Sequence, residues 1–239
     1  MSDKEKVIEC LNRVLNGFET NKDIDLDDIN FINNNIDVLK ECNKETLRNF
    51  INNMLLQDNI GLSMKVLTKS GILFLSFPEL EKLVDLEQPS KYHDYDAFKH
   101  TVEAVKYSEK DLVLRLTMLL HDVGKFETFN KDELGKITFY GHGDKGEKLA
   151  SKMLVRLGYD KKMINEIGLD VKHHMDYAPT EKSFAKMLKE LGNDINKVDK
   201  LLKVKLYDKY ACRGMEGEQV KSSQEEDLAF RKLMDKYKR

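Results

Sequence analysis

The chain has 239 residues, of which 41% are hydrophobic and 34% charged, with 40 Lys and Arg against 42 Asp and Glu. A net charge of −2 excludes a global field that would draw the chain to nucleic acid or membrane, so any such binding must come from a local patch. No apolar run approaches the roughly 18 residues of a membrane span. Three widely spaced cysteines (Cys10, Cys42 and Cys212) without a CxxC pair, and a charged start without a secretory apolar stretch, predict reduced thiols and a cytoplasmic location.

In chain order, apolar residues recur at three- and four-residue spacing, and alternation at period two is nearly absent. The spacing predicts helices over 4–16, 26–39, 44–56 and 60–69, all in a first region, 1–95. The stretch 70–96 contains Gly71, Pro78 and Pro89 and reads as a broken connector with a short helix near 78–86. A second region, 96–239, then carries helices over 97–107, 109–121, 144–157, 160–174, 181–191 and 194–212, with an amphipathic surface helix over 223–236. Only "KITFYGHG", 136–143, is open between extended chain, loop and hairpin. The predicted fold class is therefore all-α: a helical bundle preceded by a smaller helical sub-domain.

The chemistry lies in the second region. The segment "DLVLRLTMLLHD" is apolar nearly all round, the pattern of a helix in the middle of a bundle, and it closes on His121 and Asp122. His100 faces inward beside Ala97 and Ala104. His142 stands in the glycine-flanked "YGHGD". His173 and His174 end "EIGLDVKHHM", and the stripe Ile164, Ile167, Val171 and His174 favours His174 as the inward one. Asp208 shares a face with Leu201, Val204 and Ala211. One histidine on an apolar face is ordinarily a hydrogen-bonded core residue. Six such residues, spread over five helices or turns, point instead to a mixed imidazole and carboxylate site. That donor set suits Fe, Mn, Ni, Co or Zn, with Mg also compatible, as one ion or as a carboxylate-bridged pair. A second His-Asp pair, His93–Asp94, sits in the polar connector. There Asp94 or Asp96 is expected to cap the next helix, and His93 is at most an outer neighbour of the site.

These residues resemble the HD-domain superfamily of metal-dependent phosphohydrolases, whose H…HD…D pattern is matched by His100, His121–Asp122 and Asp208. "YHDYDAFKHT", "LRLTMLLHDVGK", "FYGHGDKGEKLASKMLVRLGY" and "VKHHM" are similar to the C-terminal HD domain of bacterial tRNA nucleotidyltransferases, the CCA-adding enzymes. Residues 24–56 and 61–88 resemble the helical neck and body of that family. The nucleotidyltransferase head, which needs a Gly-Ser turn and a D-x-D pair on a sheet, has no counterpart here. No Gly-Ser dipeptide occurs, and "DIDLDD" at 23–28 suits a helix start. CCA addition by this chain alone is not expected.

The resemblance implies that His100, His121 and Asp208 hold one metal and His142 and His174 another, with Asp122 shared and His173 assisting. Metal binding lowers the pKa of a water toward roughly 7. Lys125 is expected to meet a phosphate oxygen, although a cation at a helix C-terminus also has a plain electrostatic role. Lys145, Lys148, Lys152 and Arg156 form a basic stripe, ordinarily a solvated face, whose first member Lys145 is also a candidate substrate contact. Gly143 stands where the family usually has an acid, and Asp144 is its nearest substitute. The implied activity is hydrolysis of a nucleotide or an RNA terminal phosphate, a 2′,3′-cyclic phosphate included. The alternative is a non-catalytic tRNA-binding body that partners a separate nucleotidyltransferase head. The oligomeric state is open.

Overall fold

The computed structural model describes residues 2–20, 22–89, 95–212 and 218–237, with 218–223 as backbone alone. The first half contains α1 (Asp3–Glu19), α2 (Leu26–Asn34), α3 (Ile36–Lys40), α4 (Lys44–Leu55), α5 (Ile60–Lys69), α6 (Ile72–Ser76) and a 3₁₀ turn (Pro78–Leu83). The second half contains α7 (Ala97–Tyr107), α8 (Leu112–Leu120), the single turn α9 (Lys125–Thr128) and a hairpin, β1 (Asn130–Lys131) with β2 (Ile137–Thr138). It continues through α10 (His142–Arg156), α11 (Lys161–His173), α12 (Glu181–Glu190), α13 (Ile195–Ala211) and α14 (Glu218–Tyr237). The protein is all-α apart from that two-stranded antiparallel hairpin. No helix among the described residues is long and apolar enough to cross a membrane.

Short polar side chains start most helices because their oxygens accept the otherwise unpaired first-turn N–H groups. Ser2 makes a capping box with Glu5, and Asp25, Asn43, Asn59, Asp96, Asp111 and Asp160 each accept a first-turn N–H. Asp96 is thus the cap of α7; His93 and Asp94 lie outside the described residues. The predicted helix 26–39 is broken at Asn35. Its side chain donates to the Phe31 carbonyl at 2.8 Å and shares that acceptor with its own backbone N–H, so the chain restarts as α3. The open segment 136–143 resolves into β2 and the loop before α10. Its hairpin turns on Asp132, whose Oδ1 accepts from Leu134 N at 3.0 Å and Lys136 N at 2.9 Å.

One apolar core runs from Val7 on α1 to Ala211 on α13, through both halves. At its centre α8 buries Leu116, Met118, Leu119 and Leu120 completely. Each such side chain contributes about 1.5–3 kcal/mol. That burial offsets the desolvation of the polar groups the same helix carries. Arg115 on α8 is 4% exposed and donates Nη1 to the carbonyls of Leu55 and of Gln57, the latter at 2.9 Å. It therefore satisfies the end of α4 and ties the two halves together. Tyr159 Oη to Asn52 Oδ1 at 2.6 Å and the Arg156–Glu79 pair at 2.7 Å add further ties. A smaller cluster of Phe184, Met187, Leu191, Val198, Leu201, Leu202, Phe230 and Met234 joins α12, α13 and α14.

Asp170 on α11 is 3% exposed, its Oδ2 has no hydrogen-bond partner, and burial pushes its carboxyl up to about 7 from 3.8. Between those two pH values the folded state binds more protons than the unfolded chain, so this group's contribution to stability falls as pH rises across the window. Asp170→Asn should leave stability nearly unchanged at pH 4 and raise it at pH 8, by roughly 4 kcal/mol at most. Urea melts at pH 4, 6 and 8 check this. A gap between variant and wild type that does not change with pH contradicts it.

Candidate metal centre

Three histidines of the site share one local arrangement. His121 Nδ1 lies 2.7 Å from Met118 O, His142 Nδ1 2.9 Å from Phe139 O, and His174 Nδ1 2.7 Å from Val171 O. A peptide carbonyl only accepts, so each Nδ1 carries the proton and each Nε2 is turned to the interior. Metal-ligating histidines are ordinarily held in this way.

The Nε2 atoms gather around Asp122, which is 1% exposed. Its Oδ2 lies 3.2 Å from His121 Nε2 and 3.5 Å from His100 Nε2; its Oδ1 lies 3.7 Å from both His142 Nε2 and His174 Nε2. Asp208 Oδ1 closes the first group, 2.9 Å from His100 Nε2 and 3.4 Å from His121 Nε2. Two sets result, His100, His121, Asp122 and Asp208, and Asp122, His142 and His174. Within each, the ligand atoms lie within 4.8 Å of one another.

A divalent cation fits both sets. The Nε2 atoms of His100 and His121 are 3.3 Å apart, and those of His142 and His174 are 3.1 Å apart. Neighbouring nitrogens about 2.0–2.1 Å from one metal are themselves about 2.8–3.4 Å apart at octahedral to tetrahedral angles. Two neutral imidazole lone pairs facing each other at such a distance repel unless a proton or a metal lies between them.

The charge balance agrees. Burial alone would raise the Asp122 carboxyl, but His121 and Lys125 outweigh it and hold the group well below the usual carboxylate range. Asp208 is likewise raised by burial and lowered further by hydrogen bonds from His100 and His121. Burial disfavours a charged His121, yet the facing Asp122 and Asp208 push it up to about 10. Burial and then His174 push His142 down to about 4. A cation entering the first set therefore displaces a proton.

Close backbone approach makes this convergence possible. A Cβ on Gly124 would stand 2.1 Å from His142 O, and one on Gly143 2.3 Å from Lys172 O; one on Gly146 would stand 2.9 Å from Val171 Cγ1. The end of α8, the start of α10 and the end of α11 can touch only where side chains are absent. An acid, or any side chain, at position 143 would therefore collide with the backbone of α11. Asp144 does not take that acid's place in either set: its side chain is 70% exposed and lies 3.5 Å from Lys172 Nζ.

Other sequence candidates are placed differently. His173 turns away, its Nδ1 2.8 Å from Asp176 Oδ2 and 3.2 Å from Tyr177 Oη, and it joins neither set. Lys145 pairs with Glu127 at 3.3 Å and does not line the cavity over the site. Lys125 is buried, with Nζ 2.6 Å from Asp122 Oδ2. The cavity itself is about 1250 Å³. Its floor is Asp122, Lys125, His142, His174 and Asp208; its walls include Phe139, Tyr140, Met175, Tyr177, Lys205 and Lys209. Sequence reasoning missed these wall residues, and it missed Gln88, which accepts from Lys125 Nζ at 2.6 Å. They sit in loops or on ordinary helix positions, where neither period nor motif marks them.

The model of the HD domain matches residues 92–211. The CC-adding tRNA nucleotidyltransferase of Thermus thermophilus is 30% identical over 181 residues, 73% of this chain and 41% of the relative. The A-adding tRNA nucleotidyltransferase of Deinococcus radiodurans is 31% identical over 176 residues, 71% of this chain and 40% of the relative. A bifunctional uridylyltransferase/uridylyl-removing enzyme of Ruegeria pomeroyi is 22% identical over 200 residues, 73% of this chain and 20% of the relative. The chain thus spans about two fifths, or less, of these relatives.

Gly143→Ala should force α10 away from α11, at a cost of about 1–3 kcal/mol for overpacking, and weaken metal binding at the His142–His174 set. Gly61→Ala is the control, because its nearest new contact would be 3.7 Å away. Urea melts combined with Mn²⁺ titration read both effects. Unaltered stability and metal binding in Gly143→Ala would show that the close approach is dispensable.

Proposed function

The chain belongs to the HD-domain family, and on that premise we propose that it is a metal-dependent phosphohydrolase acting on a nucleotide or an RNA terminal phosphate, 2′,3′-cyclic phosphates included. One observation carries the reading: two facing imidazole pairs flank a single buried carboxylate. His100, His121 and Asp208 would hold one cation, His142 and His174 a second, and Asp122 both. The cations supply an acidified water and neutralise charge on the phosphate. The donor set favours Fe, Mn, Co, Ni or Zn. Cys212 lines the cavity but joins neither set, and burial pushes its thiol up to about 12.

The chain's own residues do the rest. Lys125 sits on the cavity floor beside Asp122 and can meet a phosphate oxygen with its ammonium. Phe139 and Tyr140 offer aromatic faces to a base, and Tyr140 is 83% exposed. Enclosure of the floor limits bulk water and strengthens each charge contact there. The names of the relatives, which add nucleotides to tRNA or remove a uridylyl group, support a nucleotidyl or RNA-end substrate. A second reading, a tRNA-binding body that works beside a separate nucleotidyltransferase head, draws on the likeness to those tRNA enzymes, which extends beyond the HD match.

The test is hydrolysis of bis-p-nitrophenyl phosphate and of 2′,3′-cyclic mononucleotides by protein loaded with Mn²⁺, Ni²⁺, Fe²⁺ or Mg²⁺. Chelation should abolish turnover, and Asp122→Asn should lower it by about 10²-fold or more with helicity retained by circular dichroism. Turnover that Asp122→Asn leaves intact would remove the mechanism. No turnover, together with a tRNA gel shift that weakens steeply with salt, would favour the second reading.

A further inference from the structure

We propose that Gln88 is a positioning residue for the Lys125 ammonium, holding it beside its ion-pair partner Asp122 with an N–H presented to a phosphate oxygen in the cavity. This rests on the phosphohydrolase reading and adds to it a residue from outside the histidine and aspartate pattern.

Gln88 lies in the connector between the two halves and is 7% exposed. A buried carboxamide is costly unless both its ends are bonded. Here both are: Oε1 accepts from Lys125 Nζ at 2.6 Å, and Nε2 donates to Tyr95 O at 3.3 Å. The orientation follows from the partners, because an ammonium only donates and a carbonyl only accepts.

The connector is itself fixed on the start of α7. Asp85 N donates to Asp96 Oδ2 at 3.2 Å, and Ala97 N donates to Leu86 O at 3.1 Å. Asp85 takes φ +58°, a conformation that non-glycine residues adopt only when their surroundings hold them. Glu87 pairs with Lys131 on the hairpin at 2.6 Å. The backbone just before Gln88 is therefore tied to the start of α7, and its amide has a defined place to point.

Lys125 needs such a partner. A lysine stem is flexible, with about 2 kcal/mol of rotamer entropy. Its ammonium has three N–H donors. Gln88 Oε1 takes one at 2.6 Å, Asp122 Oδ2 lies 2.6 Å away as the ion-pair partner, and the Phe139 ring lies 5.3 Å away. Among the described residues this leaves N–H capacity for a ligand entering the cavity that Lys125 lines. The choice of an amide matters as well. It accepts without bringing charge, so among the described residues Asp122 is the one carboxylate paired with the ammonium. A glutamate at this position would neutralise the ammonium further and repel a phosphate.

The test uses the full chain loaded with Mn²⁺. Inorganic phosphate affinity is read by calorimetry, KM and kcat with bis-p-nitrophenyl phosphate, and metal content by elemental analysis. Gln88→Met should keep the metal, weaken phosphate binding about 10-fold, as expected for loss of one charge-assisted contact, and raise KM more than it lowers kcat. Gln88→Glu should weaken phosphate further. Lys125→Met should weaken it at least as much as Gln88→Met, and the double variant should be no worse than Lys125→Met alone, since the amide acts through the ammonium. Wild-type phosphate affinity in Gln88→Met overturns the proposal. So do losses that multiply in the double variant, and so does an absence of phosphate binding in the wild type. If the wild type binds phosphate with this pattern but hydrolyses nothing, the phosphohydrolase reading fails and the positioning role stands. If it hydrolyses with a KM indifferent to Gln88, the reverse holds.

Discussion

A carboxylate buried at the base of a cavity sits at the centre of this protein. Asp122 is 1% exposed, and its two oxygens face different pairs of imidazoles. An unpaired buried charge costs several kcal/mol even after relaxation. Lys125 and four histidines are the compensation, and their positions require four separate stretches of chain to meet at one point. The apolar helix α8 carries the carboxylate at its end, and the completely buried Leu116, Met118, Leu119 and Leu120 anchor it. Substitution of the acid alone would leave the imidazoles facing one another. Removal of the imidazoles would strand the acid. The site is therefore one unit in energy as well as in geometry.

Sterics then decide how the stretches meet. Gly124, Gly143 and Gly146 let the ends of α8 and α11 and the start of α10 approach with backbone against backbone. The three Nδ1 bonds to carbonyls three residues earlier turn each ring so that Nε2 faces inward. The helical first half contributes more than bulk. Arg115 bonds the end of α4 from within α8, and the connector after the 3₁₀ turn delivers Gln88 to Lys125. A continuous core from Val7 to Ala211 makes the placement of the site depend on both halves.

Much of this was legible in the residues themselves. The all-α class followed from three- and four-residue spacing, and the polar positions on apolar helix faces marked where unlike groups would be forced together. The stripe Ile164, Ile167, Val171 and His174 pointed His174 inward because side chains at that spacing share a face. What escaped was set by local bonding or by distant chain. Asn35 breaks a helix through a side-chain bond that periodicity cannot register. His173, adjacent to His174, is captured by Asp176 and Tyr177. The Lys145 stripe begins beside the site in sequence, yet Lys172, Lys205 and Lys209 line the cavity, because the neighbouring wall comes from α11 and α13. Gln88 carries no pattern; only its tertiary partners distinguish it from any other glutamine in a connector.

The most direct examination of the central idea is a crystal structure of Mn²⁺-loaded protein with anomalous scattering recorded near the metal edge. Two peaks are predicted, one touching His100, His121, Asp122 and Asp208, the other touching Asp122, His142 and His174. Peaks elsewhere on the molecule, or none at saturating metal, would contradict the account.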